Sequence, residues 1–255
     1  MNGLVLVYAG LAGLAIGSFL NVCVYRLPAG LSVVTPRSRC PQCERPIRWY
    51  ENIPVASYIA LRGRCRGCGE RISLQYPLVE LATGAIWVAM AARFGPTLAA
   101  LSGAVFLTLL LGIALTDARE YIIPDEFSLG GLLLGLAFAA LPGGMPFLHA
   151  VAGAAVGFGC LYLVAVAGQW IFRKEAMGGG DIKMMAMVGA FVGPWGALLT
   201  IFLGALLGTL IFGPISIVTK RLVPFGIFLA LGAAVTHGWG DALIQWYWGL
   251  LSGTG

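Results

Sequence analysis

This sequence is poor in charge and in histidine. Only 11% of its 255 residues are charged, the acids number 11, and there are two histidines, His149 and His237. An ordinary soluble domain carries about 25% charged residues, so the shortage excludes a fold whose whole surface meets water. Both histidines fall away from the basic loops, which argues against a serine–histidine protease working among them. The start of the chain, Met1-Asn2-Gly3, has no positive segment, and the apolar run after it leads to Asn21 and Arg26 without a small-residue cleavage site. A retained first helix is therefore expected, not a removed signal peptide. No glycine-rich nucleotide fingerprint stands between a strand and a helix, so motifs alone reveal no nucleotide-type cofactor site.

What is abundant is apolar sequence: 59% of residues are hydrophobic, and 37 are glycine. Runs of about 18 or more apolar residues read as membrane spans. Such segments lie near 3–24, 77–92, 97–116, 127–141, 148–172, 184–193, 195–218 and 224–250, with Gly193-Pro194 breaking what is otherwise one run. The expected fold is an all-α membrane protein of about eight transmembrane helices, some short. Residues 1–25 form the first helix, 26–75 a hydrophilic insertion and 76–255 the polytopic remainder. The glycines suit a bundle in which helix backbones approach closely.

The net charge of +5 does not point to nucleic acid, because of where the charge sits. Nine of the 16 Lys and Arg lie in 26–71, and Arg119, Arg173, Lys174, Lys183, Lys220 and Arg221 follow odd-numbered spans; only Arg93 follows an even-numbered one. Positive loops stay cytoplasmic. Both termini are then expected on the periplasmic side of an inner membrane, with the insertion in the cytoplasm. The basic loops are also compatible with contact to lipid headgroups.

The insertion holds Cys40-Pro-Gln-Cys43 and Cys65-Arg-Gly-Cys68, two CxxC pairs 21 residues apart. That gap is one residue beyond the usual range for a four-cysteine zinc site. Each pair lets two thiolates reach one tetrahedral metal from a tight turn, and four thiolates leave no open position, so Cys40, Cys43, Cys65 and Cys68 read as ligands of a structural zinc. Two disulfides or free thiols are the alternative, which a reducing cytoplasm disfavours. A fifty-residue island has little core of its own, so a metal staple makes physical sense. Cys23 and Cys160 stand alone inside spans and read as core.

Acids at a membrane boundary are costly and each is a candidate functional group. Asp117 ends the third span, where the helix dipole disfavours negative charge. Asp125 and Glu126 follow Pro124, which is also ordinary helix-start chemistry. Asp181 follows Gly178, Gly179 and Gly180, either as a capping residue after a flexible loop or as the partner of Asp117 on the same boundary. Glu80 enters the second span and reads as interfacial or paired with a basic loop residue; Glu175 reads as a solvated loop charge, and the His237/Asp241 pair as a polar patch near the far surface. Two carboxylates brought close share one proton. The ionised one can then activate water while the protonated one polarises a carbonyl, which is aspartic-protease chemistry. The glycine-rich loop would admit an extended peptide beside the pair.

These residues closely resemble those of the bacterial type IV prepilin peptidases, within the GxGD group of membrane aspartic proteases. The resemblance runs through Gly17–Pro28, the two CxxC pairs, Glu51-Asn-Ile-Pro54, Leu61–Cys65, Ile72–Leu81, Thr116-Asp-Ala-Arg119, Ile122-Ile-Pro-Asp125, Gly178-Gly-Gly-Asp-Ile-Lys183 and Val223-Pro-Phe-Gly226. It implies a peptidase that removes the short basic leader of prepilins and type II secretion pseudopilins at the cytoplasmic face, after a glycine. The catalytic aspartates map onto Asp117 and Asp181, with Asp125 and Lys183 as supporting residues. The resemblance also implies N-methylation of the new terminus with S-adenosylmethionine, because a tetracysteine island is usual in bifunctional members. Where many relatives have a second aspartate, this chain has Arg119, which leaves Asp117 alone in its segment. The island is expected over the same face, where it could help hold the substrate. Rival readings are a proton or ion transporter, disfavoured because the acids gather at one surface, and a zinc-stabilised scaffold that would survive asparagine at both positions.

Overall fold

The computed structural model describes residues 3–173, 177–219 and 224–252. The expectations for Lys174, Glu175, Lys220, Arg221 and Val223 lie outside them. The described chain is helical: α1 (Gly3–Arg26), α2 (Ala56–Ala60), α3 (Gln75–Phe94), α4 (Leu98–Glu120), α5 (Asp125–Ala140), α6 (Phe147–Phe172), α7 (Gly179–Thr219) and α8 (Phe225–Ser252). Six of these, α1, α3, α4, α6, α7 and α8, are long and apolar enough to cross a membrane, so this is a multi-pass membrane protein. The eight expected segments reduce to six by length for two reasons. α5 has only 16 residues, fewer than the roughly 18–20 that span an apolar layer unaided. α7, at 41 residues, is counted once although Gly193 breaks it with φ 73° and ψ 179°.

The break at Gly193 is a reversal of direction. Residues 179–192 run antiparallel to α6, since Gly157 faces Met185 and Gly153 faces Gly189. Residues 194–219 run antiparallel to α8, with Gly204 against Leu229 and the Thr200 hydroxyl donating to Thr236 Oγ1 at 3.0 Å. The two limbs thus make separate traverses. The positive φ at Gly193 suits glycine, and a Cβ there would lie 2.5 Å from His149 Nε2.

The chain groups into two compact units that divide within α4, one up to Thr108 and one from Leu109 onward. In the first, α1 and α3 pair antiparallel through glycines. A Cβ on Gly13 would lie 2.8 Å from Gly84 Cα, and one on Gly17 would lie 2.8 Å from Glu80 Cα. The insertion returns to this pair through one buried carboxylate. Glu80 is 7% exposed, and its Oε2 accepts the Val55 N–H at 2.7 Å. Glu80 is therefore not paired to a basic side chain among the described residues: a backbone donor satisfies it. Val55 needs that anchor, because a β-branched residue at φ 60° is strained.

The second unit is held by contacts of backbone on backbone. Cβ atoms on Gly153 and Gly189 would each collide with the other residue's carbonyl, the geometry small residues permit between membrane helices. Gly159, on the same α6, has open space around it. Gly189→Leu should therefore lower stability by about 1–3 kcal/mol or more, and Gly159→Ala should leave it near parental. Reversible unfolding in mixed micelles measures both.

Candidate active site and metal centre

Four helix ends meet at one end of the second unit: the C-terminus of α4 and the N-termini of α5, α7 and α8. They bring Asp117, Asp125 and Asp181 to that end. Asp117 is 5% exposed. Its position at a helix C-terminus, unfavourable by the dipole, is answered by another helix: the Ile227 N–H, in the first turn of α8, donates to Asp117 Oδ2 at 3.1 Å. First-turn N–H groups have no partner within their own helix, and there the dipole favours an anion. Gly226 makes the approach possible, since a Cβ at 226 would lie 2.9 Å from Asp117 Oδ2. Sequence reasoning did not single out Gly226 and Ile227. The Pro-Phe-Gly segment was the available signal, but nothing in its spacing says which acid it serves.

Asp181 is the third residue of α7, half-buried and within electrostatic range of Asp117. It lies inside the first turn and is not the cap. The glycines before it differ from expectation. Gly179 and Gly180 are already helical, and none of the three has positive φ. Gly178 and Gly179 are exposed with room around them, whereas a Cβ on Gly180 would lie 3.0 Å from Ile123 Cβ. Close packing, not a loop conformation, accounts for Gly180. Asp125 is the first residue of α5, as the preceding Pro124 predicts. It is 55% exposed at the side chain and held by Lys183, whose Nζ donates to both carboxylate oxygens at 2.7 and 2.9 Å. The two supporting candidates thus pair with each other. The histidines lie elsewhere: His149 in the first turn of α6 packs on Gly193, at the opposite end from Asp181.

The cysteines form a second site, in the first unit. The Sγ atoms of Cys40, Cys43, Cys65 and Cys68 all lie within 4.8 Å of one another, with Cys40–Cys68 at 3.8 Å and Cys43–Cys65 at 4.0 Å. Four thiolates about 2.3 Å from a tetrahedral zinc stand about 3.8 Å apart, so the residues fit the ion. The two turns repeat one design. Cys40 N–H donates to the Arg45 carbonyl and Cys65 N–H to the Glu70 carbonyl, while Glu44 and Gly69 take the positive φ that closes each turn. Glu51 braces them. Its side chain is 5% exposed, receives two hydrogen bonds from Arg45 at 2.9 and 3.1 Å, and lies 3.7 Å from Arg66 in the second turn.

Charge in this island is organised around those contacts. The Arg45 hydrogen bonds, followed by the Arg48 N–H, hold the Glu51 carboxyl below the usual range, and Glu51 in turn raises Arg45. Backbone N–H groups of Cys68 and then Gly67 bring the Cys65 thiol down to about 6. The Glu70 N–H acts to lower Cys68, but burial and the neighbouring thiols together push it up to about 12.

The fold and the site define a multi-pass membrane protein with carboxylates gathered at one end of its second unit and a four-cysteine cluster that could hold a metal in its hydrophilic insertion. The bacterial peptidase A24 N-terminal domain matches residues 11–94, and the type IV leader peptidase family matches residues 104–213. A prepilin leader peptidase/N-methyltransferase of Pseudomonas putida is 38% identical over 265 residues, 92% of this chain and 91% of the relative. One of Neisseria gonorrhoeae is 34% identical over 256 residues, 91% and 87% of the two chains. One of Myxococcus xanthus is 44% identical over 209 residues, 80% of this chain, which spans 62% of that longer relative. No solved structure matches. The chain belongs to the type IV leader peptidase family.

The full-length protein should carry about one zinc per chain by elemental analysis. Cys40→Ser or Cys65→Ser should release it and lower the melting temperature. Metal-free parental protein with an unchanged melting temperature would refute the cluster as a structural centre.

Proposed function

We propose that this protein is an intramembrane aspartic endopeptidase that removes the basic leader from type IV prepilins and type II secretion pseudopilins, and then methylates the new N-terminus from S-adenosylmethionine. The observation that carries the peptidase reading is the meeting of Asp117 and Asp181, one buried and one half-buried, at a single end of the bundle. The methylation reading rests on the names of the relatives and on the tetracysteine resemblance.

In this reading Asp117 and Asp181 share a proton. The ionised carboxylate takes a proton from water, whose oxygen attacks the scissile carbonyl carbon. The protonated carboxyl donates to the carbonyl oxygen. Collapse of the tetrahedral intermediate breaks the C–N bond as the first carboxyl gives its proton to the leaving amine and the second carboxylate takes back a proton from a hydroxyl of the intermediate. The Ile227 N–H keeps Asp117 oriented through this cycle without taking part in proton transfer. Asp125 and Lys183 tie α5 to the first turn of α7, and Gly180 allows that turn its close packing. A zinc held by Cys40, Cys43, Cys65 and Cys68 would be structural, because four thiolates leave it no open position for water.

The distribution of Lys and Arg supports an inner-membrane orientation with the insertion and both aspartates cytoplasmic and both termini periplasmic. A prepilin with its leader in the cytoplasm and its apolar helix in the bilayer would meet the pair at that boundary. The lipid bilayer is then a partner of enzyme and substrate alike.

Asp117→Asn and Asp181→Asn should each lower prepilin cleavage at least about 100-fold in folded, zinc-loaded protein, measured by leader release in membranes. Near-parental cleavage by either variant would sink the pair as the catalytic centre. Lys183→Met should change the melting temperature little, because exposed ion pairs contribute about 0–1 kcal/mol. Gly226→Ala should reduce cleavage as strongly as an oriented donor allows, about 10- to 100-fold, by displacing Asp117.

A further inference from the structure

We propose that Ile123 is a positioning residue, a spacer that sets how far apart Asp117 and Asp181 stand. The proposal rests on the reading of those two residues as the working pair. Ile123 belongs to the four-residue strap between α4 and α5. The strap leaves α4 sharply: the Tyr121 N–H donates to the Asp117 carbonyl at 3.1 Å, and Tyr121 takes a φ of 55°. Pro124, buried, ends it at the start of α5. Between these two points the Ile123 side chain turns into the site.

There Ile123 touches two helices at once. A Cβ built on Gly180, the residue before Asp181, would lie 3.0 Å from Ile123 Cβ and 3.5 Å from Cγ1. A Cβ built on Gly226 would lie 2.9 Å from Ile123 Cδ1 and also 2.9 Å from Asp117 Oδ2. One side chain therefore bears along its length on the turn that carries Asp181, its Cδ1 also 3.6 Å from a Cβ built on Gly180, and with its tip on the turn whose next N–H holds Asp117. Both neighbours are glycines, so the contact is against backbone, which yields less than a flexible side chain. The charged partners cannot set this distance. Asp125 and Lys183 bond each other across an exposed face, and two carboxylates sharing a proton need a fixed separation that neither supplies alone. The adjacent Ile122 is 45% exposed and serves as a control of the same chemistry in the same strap.

The test compares Ile123→Ala, Ile123→Val and Ile122→Ala in the full chain by prepilin cleavage and by infrared spectroscopy. Infrared reads the C=O stretch of the protonated carboxyl, assigned by its loss in Asp181→Asn. Ile123→Ala should lower kcat about 10- to 100-fold with KM within about twofold, as misplacement by about 1 Å does, and should move both the pH–rate profile and the pH at which the infrared band disappears. Ile123→Val keeps Cβ and Cγ1 against Gly180 but loses Cδ1 against both Gly180 and Gly226, and should fall between Ile123→Ala and the parent. Ile122→Ala should match the parent. If Ile123→Ala matches Ile122→Ala in kcat, pH profile and infrared band, the spacer is overturned. If Ile123→Ala does not fold, Ile123→Val decides by the same comparison. If the parent itself does not cleave, the peptidase reading fails and the infrared titration alone decides the spacer: an unmoved band in Ile123→Ala rejects it.

Discussion

A carboxylate at the C-terminal end of an apolar helix has to be answered by something. For Asp117 the answer is the N-terminus of α8, whose Ile227 N–H reaches Oδ2. Much of the second unit follows from that contact. α8 has to begin at the end of the bundle where α4 stops, so the residues before it have to return there, and the reversal at Gly193 achieves this with the second limb of α7. Gly226 has to lack a side chain so that the helix end can come close enough. A helix dipole that would oppose Asp117 in α4 alone is offset by the opposite pole of α8.

Glycine serves two purposes in this molecule, and the distinction bears on function. Gly153 and Gly189 bring α6 and α7 together backbone to backbone, and Gly13 and Gly84 do the same for α1 and α3; these contacts provide cohesion where lipid removes the hydrophobic drive between helices. Gly180 and Gly226 admit a single side chain, Ile123, and a single carboxylate. Gly193 and Gly69, both with positive φ, use conformational freedom itself, one at the reversal of α7 and one in a cysteine turn. Gly179 has open space around it and a Cβ on Gly178 would meet only Asp181 Oδ2, at 3.6 Å, so the local demand of the motif falls on its third glycine.

The insertion solves a different problem. It is too polar and too short to bury a core of its own, and it is held by three polar devices: the four cysteine sulfurs, Glu51 between Arg45 and Arg66, and Glu80 on the Val55 N–H. Each joins segments that are distant in sequence. Glu51 and Glu80 are nearly buried acids with specific partners, which is why so few acids suffice there.

Composition and periodicity were enough to establish a membrane bundle and the break at Gly193-Pro194, because a run of apolar residues and a proline act locally. Two CxxC pairs were enough to mark a four-cysteine cluster that could hold a metal, because the two tight turns are set locally. The start of α5 at Asp125 was legible from Pro124 for the same local reason. The partners of the acids were not legible. Nothing local to Glu80 announces Val55, and nothing near Asp117 announces a donor 110 residues away. The structure also placed Gly179 and Gly180 in a helix where a loop was expected, and singled out Ile123, an ordinary apolar residue in sequence. Those features depend on which helix ends are brought together, and helix packing is a property of whole surfaces that no short stretch of residues encodes.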